Sequence, residues 1–513
     1  MAGTEDDRGH SWPAEDPDAR LHGQPVPPAP GQASPQRIDP DPGTHQESPV
    51  SRRRRMWPWL VTVAVLLVAG LAATMLAPPT ANRLGLPWAP NAPQGPEPGP
   101  SAVERTIHGV DTDGTRPTPE GVTAAISEAA DGDSLAEFTG IVMDPVTGVV
   151  LWDREASEPT VPASTTKLLT AAAALLSLDA TARIPTTVVA GEDPGSVVVV
   201  GGGDPTLAST AEGAPYYSGA ATLEELAEQV LDTTGGAVDT VSIDLSTYAG
   251  ETIASGWTPD DTPSTYSAPV VPAMLDGGRL DPADQHAERS ANPARDLVSE
   301  LAELLDARVG DPSVVTAADG AEVLAEVVSP PLSDLLRSVL VDSDNVVAEA
   351  LARQVALAEG EEASFEGAAT ATLDVLERNG FDTVDITLRD GSGLSRDNRI
   401  PARLLADVLA AASAPVSADS RASNLRPLLD SLAVAGGSGT LTERYSEAPT
   451  DRGGGWVRAK TGTLSEVNTL AGTVLDGEGR VLVFAVMSTG ASIHDGRQAL
   501  DEIATALREC GCD

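Results

Sequence analysis

Alternating apolar and polar residues predict strands near both ends of the chain. Residues 139–152 alternate on either side of an Asp-Pro-Val-Thr-Gly turn at 144–148. Residues 469–475 and 480–487 alternate in the same way around Asp-Gly-Glu-Gly at 476–479. The pattern therefore predicts a hairpin at each end of the globular part.

Helical periodicity surrounds these strands. Residues 121–130 and 498–508 are predicted helices close to the two hairpins, and the globular part begins near residue 119. Strands at both ends with helices between them are typical of a single antiparallel sheet with a helical subdomain. The expected fold class is α/β (α+β).

The most apolar helix is predicted over residues 162–176, which are almost entirely Ala, Leu and Thr. A helix that is apolar all round is buried. Ser164 lies in its first turn, which Pro162 and the threonines favour, and Lys167 follows three residues later on the same face. A cation beside a hydroxyl at the end of a buried helix predicts a nucleophile, Ser164, and a base that takes its proton, Lys167.

Lysine is scarce in this sequence. The chain has 33 lysines and arginines, of which only Lys167 and Lys460 are lysine. Arginine keeps its proton in proteins, whereas a buried lysine, or one near another cation, can lose it. The free lysine pKa of about 10.4 must fall by several units before the amine acts as a base near neutrality. A buried site that contains both lysines would supply that shift.

Two further short motifs follow along the chain: Ser343-Asp344-Asn345 and Lys460-Thr461-Gly462-Thr463. Each is weak alone, because these residues are common in helix caps, turns and strand ends. Ser343 and its neighbours open a predicted helix over residues 345–358, and Asp344 is expected to be a capping residue that faces solvent. In this order, with Ser164-x-x-Lys167, the motifs resemble those of penicillin-binding proteins and class A β-lactamases.

Other segments narrow the resemblance to the class C low-molecular-mass penicillin-binding proteins, the D-alanyl-D-alanine carboxypeptidase/endopeptidase family. Residues 201–207 (Gly-Gly-Gly-Asp-Pro-Thr-Leu) and 390–396 (Asp-Gly-Ser-Gly-Leu-Ser-Arg) resemble family segments between the catalytic motifs, and residues 439–441 and 464–472 also fit. The resemblance extends from about residue 120 to the C-terminus. It implies a five-stranded antiparallel sheet with the active site between sheet and helices.

The resemblance also implies a mechanism. Lys167 would remove the proton from Ser164, which attacks the carbonyl of the penultimate D-alanine of a peptidoglycan stem peptide. Backbone N–H groups of Ser164 and Thr463 would form the oxyanion hole. Ser343 would relay a proton to the departing D-alanine, with Lys460 setting the local field. Such a hydrolysis needs no metal or organic cofactor.

Substrate contacts follow from the same resemblance. Asn345 would hold the substrate backbone, and the segment from Lys460 through Thr461 and Gly462 to Thr463 would receive the terminal carboxylate, which requires donors and a cation. β-Lactam antibiotics would acylate Ser164 as substrate mimics. The sequence does not separate carboxypeptidase from endopeptidase action.

Two rival functions remain open at this stage. A β-lactamase or esterase could use the same three motifs, but class A β-lactamases add a glutamate for deacylation, and no comparable Glu-x-x-x-Asn follows Ser343-Asp344-Asn345. A non-catalytic, membrane-tethered sensor of β-lactams or muropeptides is the rival from another class. Complete motifs weigh against a protein that only binds.

The chain divides into five predicted regions: a disordered cytoplasmic tail (1–55), a transmembrane anchor (56–77), a Pro/Gly-rich linker (78–118), a catalytic domain (119–180 and 320–513) and an inserted domain (181–319). The tail has almost no large apolar residues, so it cannot bury enough surface to offset the entropy of ordering. The insertion mixes strand-like and amphipathic helical patterns.

The anchor prediction rests on an apolar run and its flanks. Residues 56–77 are long enough to cross a ~30 Å hydrocarbon core, and Trp57 and Trp59 suit a membrane interface. Four arginines at 52–55 place the N-terminus in the cytoplasm and the catalytic domain outside the cell, although cleavage near Ala77 stays open.

Charge and cysteine content set further bounds. The formal net charge of −43 argues against nucleic acid as a partner, because phosphate binding requires basic surface. The two cysteines are Cys510 and Cys512. With one residue between them, an internal disulfide would be strained, so a free or intermolecular state is equally expected.

Overall fold

The computed structural model describes residues 116–209 and 215–512. The predicted cytoplasmic tail, the anchor at 56–77 and most of the linker lie outside these residues. Among the described residues, no helix has the length and apolar character needed to cross a membrane.

Helices and strands are numbered in chain order. The helices are α1 (Pro119–Ala130), α2 (Lys167–Ser177), α3 (Leu223–Thr234), α4 (Pro293–Leu304), α5 (Leu332–Leu340), α6 (Asn345–Glu359), α7 (Phe365–Arg378), α8 (Ala402–Ser413), α9 (Ala422–Asp430) and α10 (Ile493–Glu509). The strands are β1 (Glu137–Met143), β2 (Val150–Arg154), β3 (Pro159–Thr160), β4 (Pro185–Ala190), β5 (Ser196–Gly201), β6 (Thr240–Asp244), β7 (Arg308–Val314), β8 (Val323–Val328), β9 (Ile400–Pro401), β10 (Ala433–Val434), β11 (Val457–Leu464), β12 (Val467–Leu475) and β13 (Val481–Thr489).

The main sheet has the strand order β10-β11-β12-β13-β1-β2, with every neighbouring pair antiparallel. Both predicted hairpins are present, as β1–β2 and β12–β13. Five long strands correspond to the expected five-stranded sheet, and the two-residue β10 adds a short sixth at the edge.

Both faces of this sheet are buried, as β13 illustrates. Leu482, Phe484 and Val486 join the core beneath α1 and α10, whereas Val483 and Ala485 join the core formed with the other helices. Side chains of a strand alternate between faces, so one apolar strand supplies both cores.

Helix α2 lies at the centre of the helical subdomain, and Lys167 to Leu175 are all buried, as predicted. The first turn differs, because Ala163–Thr166 forms a 3₁₀-helix before the α-helix begins. Thr165 and Thr166 donate their hydroxyls to the carbonyls of Pro162 and Ala163, which favours the tighter turn.

A second sheet forms the inserted unit, with the order β7-β6-β5-β4-β8. Strands β5, β6 and β7 are parallel, while β4 pairs antiparallel with β5 and β8. Helices α3 and α4 pack on this sheet. Its last strand, β8, lies beyond the predicted boundary at residue 319.

Of the states considered for the two cysteines, the structure shows the internal disulfide. Cys510 and Cys512 form an internal disulfide directly after α10. Both cysteines are buried in the core beneath the main sheet.

Candidate active site

Ser164 and Lys167 face each other at the start of α2. The Lys167 ammonium lies 3.1 Å from Ser164 Oγ, 2.5 Å from Asn345 Oδ1 and 2.6 Å from the Ser392 carbonyl. An ammonium has three N–H donors, and these three acceptors account for all of them. When the Lys167 amine is neutral, its two N–H groups can still donate to Asn345 Oδ1 and the Ser392 carbonyl. Its lone pair is then directed at the Ser164 hydroxyl.

Lys167 is completely buried. Burial lowers its pKa to about 8, against the opposing attraction of Asp390, Glu349 and Asp344. This is the shift that a lysine base requires near neutral pH.

Lys460 lies within the same site, on β11. Its ammonium donates to Ser343 Oγ and to the Thr461 carbonyl, both at 2.8 Å. Burial, reinforced by the charge of Lys167, holds the Lys460 pKa well below its ordinary value. Each lysine therefore contacts one motif serine, Lys167 with Ser164 and Lys460 with Ser343.

Strand β11 runs directly beside Ser164. A Cβ on Gly462 would lie 2.8 Å from the Pro162 carbonyl and 3.0 Å from the Ser164 nitrogen, so only glycine permits this approach. On the same segment, Thr461 donates its hydroxyl to Thr440 Oγ1 at 2.8 Å. The structure thus brings the three motifs together, with all eight predicted site residues in one region: Ser164, Lys167, Ser343, Asn345, Lys460, Thr461, Gly462 and Thr463.

Helix α6 positions the second motif. The backbone φ of Ser343 is +62°, a value that residues other than glycine rarely adopt. Asp344 then caps the helix, because its carboxylate accepts hydrogen bonds from the Val346 and Val347 amides. Asn345 begins the helix, accepts from Lys167 and donates to the Tyr266 carbonyl at 3.1 Å. The cap fixes both flanking side chains in the cleft.

The prediction that Asp344 faces solvent is wrong. Asp344 is buried, and its Oδ2 accepts from Arg279 at 2.8 Å, from Arg289 at 3.2 Å and from the Tyr217 hydroxyl at 2.9 Å. Burial alone would raise the Asp344 pKa, but the two guanidiniums and their hydrogen bonds hold it well below its usual range. The inserted segment therefore supports the catalytic motif.

Glu349 is a positioning residue that the sequence reasoning missed. It is completely buried on α6, and it accepts from the amides of Gly391 and Ser392. Arg353 lies one turn further, 3.5 Å from the Glu349 carboxylate. Burial and the nearby Asp390 raise the Glu349 pKa to about 7. These contacts fix the Ser392 carbonyl that receives Lys167.

Asp390 completes this support. It accepts from the amides of Gly393 and Ser395, from Asn398 Nδ2 and from the Trp257 indole, at 2.6–2.9 Å. The segment 390–396, which the sequence indicated only by its resemblance to a family segment, therefore positions the carbonyl that accepts from Lys167. A charged pair four residues apart among mostly apolar neighbours in α6 was a sequence signal for Glu349 and Arg353.

Within residues 116–209 and 215–512, no group of three or more histidine, cysteine, aspartate or glutamate side chains is arranged to hold a metal ion.

Comparison with known proteins identifies the family. The model of the D-Ala-D-Ala carboxypeptidase 3 (S13) family matches residues 122–288 and 283–510. The chain belongs to this family. The predicted low-molecular-mass penicillin-binding protein and serine peptidase class are therefore confirmed.

Two mycobacterial relatives are similar over most of their length. The carboxypeptidase Rv3627c of Mycobacterium tuberculosis is 45% identical over 424 residues, covering 81% of this chain and 90% of that protein. The carboxypeptidase DacB of Mycolicibacterium smegmatis is 44% identical over the same shares.

A solved structure confirms the predicted fold of this S13 member. Penicillin-binding protein 4 from Haemophilus influenzae superimposes with a TM-score of 0.60 at 20% identity, covering 76% of this chain and 98% of that one. Its crystal structure has also been solved with a β-lactam, with a TM-score of 0.56 to this chain.

Proposed function

We propose that this protein releases the terminal D-alanine from peptidoglycan stem peptides through an acyl-enzyme on Ser164. The observation that carries the proposal is the contact between a completely buried Lys167 and Ser164 Oγ at 3.1 Å. Family membership supports the reaction type, and the assembled motifs support the residue roles.

Acylation begins with proton transfer from Ser164 to neutral Lys167. Ser164 Oγ then attacks the carbonyl carbon between the last two D-alanines, and the electron pair of that carbonyl moves to its oxygen. The Ser164 and Thr463 amides stabilise this oxyanion. The approach of β11 to the Ser164 nitrogen at Gly462 supports that pair of donors.

The leaving D-alanine needs a proton when its C–N bond breaks. Ser343 is suited to supply it, because its hydroxyl is bonded to Lys460, which can in turn replace the proton. Asn345 binds a backbone amide of the stem peptide. In deacylation, water attacks the acyl carbon and its proton restores Lys460 by way of Ser343. Ser164 Oγ then leaves with the proton that Lys167 had taken, so both lysines return to their starting states.

β-Lactams enter this proposal as substrate mimics that acylate Ser164 and deacylate slowly. The β-lactam complex of the Haemophilus influenzae protein, which has the same fold, supports this expectation. The complete set of motifs also favours turnover over the role of a sensor that only binds.

Location outside the cytoplasm suits this substrate. The apolar run at 56–77, preceded by four arginines, supports a single membrane span with the catalytic domain outside the cell. Protease added to intact cells should therefore digest the C-terminal domain. Digestion only after lysis would contradict this location.

Release of D-alanine tests the reaction. Full-length protein should release D-alanine from a diacetyl-Lys-D-Ala-D-Ala peptide, whereas Ser164→Ala should show no release above background, because no other nucleophile can form the acyl-enzyme. A cross-linked stem-peptide dimer, assayed in parallel, measures endopeptidase action. Undiminished release by Ser164→Ala would contradict the mechanism.

The acylation rate should depend on the protonation of Lys167. Because the base must be neutral, the second-order rate of penicillin acylation should rise with pH and level off above the Lys167 pKa of about 8. Fluorescent-penicillin labelling across this range measures it. A rate that falls as pH rises through this value would exclude neutral Lys167 as the base.

A further inference from the structure

The carbonyl that accepts from Lys167 belongs to a peptide group whose other end meets a carboxylate. Ser392 O accepts from the Lys167 ammonium at 2.6 Å. The nitrogen of the same peptide group is that of Gly393, and it donates to Asp390 Oδ1 at 2.9 Å. Both Lys167 and Asp390 are buried. One peptide group therefore connects the base to a buried carboxylate.

The hydrogen bonds of Asp390 show that it is an anion. Its two oxygens accept from N–H groups on four residues: Trp257, Gly393, Ser395 and Asn398. An N–H group can only donate, whereas a protonated carboxyl must itself donate one hydrogen bond. The arrangement therefore suits the ionised form of Asp390.

A second carboxylate contacts the same stretch of backbone, residues 391–393. Glu349 on α6 accepts from the first two amides of this segment at 2.8–3.1 Å, and Asp390 accepts from the third. The Ser392 carbonyl is directed the other way, towards Lys167. The segment 391–393 thus presents its N–H groups to two carboxylates and a carbonyl to the base.

The ammonium that forms on Lys167 during acylation needs such compensation. In the part of the chain that the structure describes, no carboxylate forms an ion pair with Lys167. Besides Ser164, its acceptors are Asn345 and a backbone carbonyl, which are neutral. A buried charge without a counter-ion is costly. Asp390 and Glu349 exert the two largest attractions on this ammonium.

We propose that Asp390 and Glu349 are positioning residues that stabilise, through the segment 391–393, the ammonium formed when Lys167 takes the proton of its serine. The proton passes from Ser164 Oγ to Lys167 Nζ, and neither carboxylate receives it. A nucleophile, a base and a third group that orients the base form a recurrent catalytic arrangement. Hydrogen bonds in a chain polarise one another, so an anion at one end strengthens the acceptor at the other. This inference rests on the proposed function.

The surrounding charges fix the sign of the expected pH effect. The other charged or titratable groups that face Lys167 or Glu349 are Asp344, Arg353, Lys460 and Tyr248. Attraction by the carboxylates holds the Lys167 pKa above the value that burial alone would give. Burial, with the charge of Asp390, raises the Glu349 pKa to about 7, so Glu349 is charged where Lys167 loses its proton. Removing either carboxylate should therefore lower the Lys167 pKa.

Asp390→Asn and Glu349→Gln test the proposal in the full-length protein. Each variant removes one negative charge but keeps one oxygen that can accept from the segment 391–393. We measure the second-order rate of penicillin acylation against pH. The plateau rate should fall roughly 10- to 100-fold, less than the ~10²–10⁴-fold contribution of the base itself. The midpoint should move to lower pH by more than about half a unit, because a nearby opposite charge has stabilised the ammonium.

Asp204→Asn is the matched control for the loss of a buried charge. Asp204 is buried, and its carboxylate accepts from the amide and hydroxyl of Thr206. Burial raises the Asp204 pKa to about 6, so the carboxylate is charged where Lys167 titrates. Because its hydrogen bonds do not involve the segment 391–393, Asp204→Asn should leave the midpoint of acylation unchanged.

The position of the midpoint separates stabilisation of the ammonium from mere support of the fold. A lower plateau with an unchanged midpoint in both variants would show that the carboxylates only hold the backbone, and would overturn the proposal. A midpoint that moves to higher pH, or an equal shift in Asp204→Asn, would also overturn it. If Asp390→Asn does not fold, because asparagine presents an N–H to the donors around it, Glu349→Gln decides alone. Turnover that survives Ser164→Ala would instead refute the proposed function.

Discussion

Lys167→Met should lower the rate of penicillin acylation by about 10⁴-fold, the upper range for loss of a general base. Methionine is similar to lysine in length but has no lone pair of comparable basicity and no N–H. Ser164 then keeps its position in the first turn but has no group to take its proton. Stopped-flow measurement gives the acylation rate of the wild type, and slow labelling at high penicillin concentration gives that of Lys167→Met.

Thr170→Val is the matched control for Lys167→Met. Thr170 lies on the same helix, is buried, and donates to the Gly391 carbonyl at 2.6 Å, next to the carbonyl that receives Lys167. Thr170→Val removes the hydroxyl and leaves the buried Gly391 carbonyl without this donor, at a cost of about 1–3 kcal/mol in stability. The variant keeps Lys167 as the base. Acylation should stay within about ten-fold of wild type. Equal losses in the two variants would contradict the assignment of Lys167 as the base.

Asp344→Asn should destabilise the protein by about 3–5 kcal/mol, because it leaves Arg279 and Arg289 buried without a counter-ion. Their side chains are only 2% and 4% exposed. Asparagine is as good a helix cap as aspartate, so the loss reports the charge and not the cap. Urea unfolding followed by circular dichroism measures the change in unfolding free energy.

An exposed ion pair supplies the control for Asp344. Asp131 pairs with Arg154 at 2.5 Å, with side chains 66% and 36% exposed, so Asp131→Asn should cost less than about 1 kcal/mol. A similar small loss for Asp344→Asn would show that the buried cluster does not hold the motif in place.

The pH dependence of this cluster has a definite sign. The Asp344 pKa is lower in the folded than in the unfolded protein. Its stabilising contribution is therefore fully present above the unfolded pKa, and it is lost as pH falls towards the lowered folded value. The cluster should remain intact throughout the neutral range in which the enzyme is assayed.

The local parts of the site were predictable from the sequence. Ser164 and Lys167 are three residues apart where a 3₁₀ turn continues into α2. Residues at this spacing lie on the same face of either kind of helix, so their contact follows from helix geometry. The scarcity of lysine identified Lys460 as the second member of the site. The hairpins at both ends of the domain were predicted in the same way, because alternation identifies strands within a few residues.

The support of the site was not predictable, because it depends on contacts between distant segments. Arg279 and Arg289 are 65 and 55 residues from Asp344, and a capping aspartate has the same local pattern whether it is exposed or buried. The contact of Arg497 with Thr463 likewise requires α10 to pack beside β11. Helix periodicity alone does not reveal which strand end a helix approaches.

The extent of the insertion was also beyond the local pattern. Strand β8 pairs with β4, more than a hundred residues earlier, and this pairing assigns it to the second sheet. Its short alternating sequence is equally compatible with the main sheet. The sequence therefore predicts the chemistry of the site better than its supporting framework.

The central claim, an acyl-enzyme on Ser164, is tested most directly by locating the covalent adduct. Full-length protein is incubated with benzylpenicillin, and the modified residue is identified by intact-mass measurement and peptide mapping. We expect one penicilloyl group per chain, on Ser164, and none in Ser164→Ala. An adduct on another residue, or one that persists in Ser164→Ala, would contradict the account.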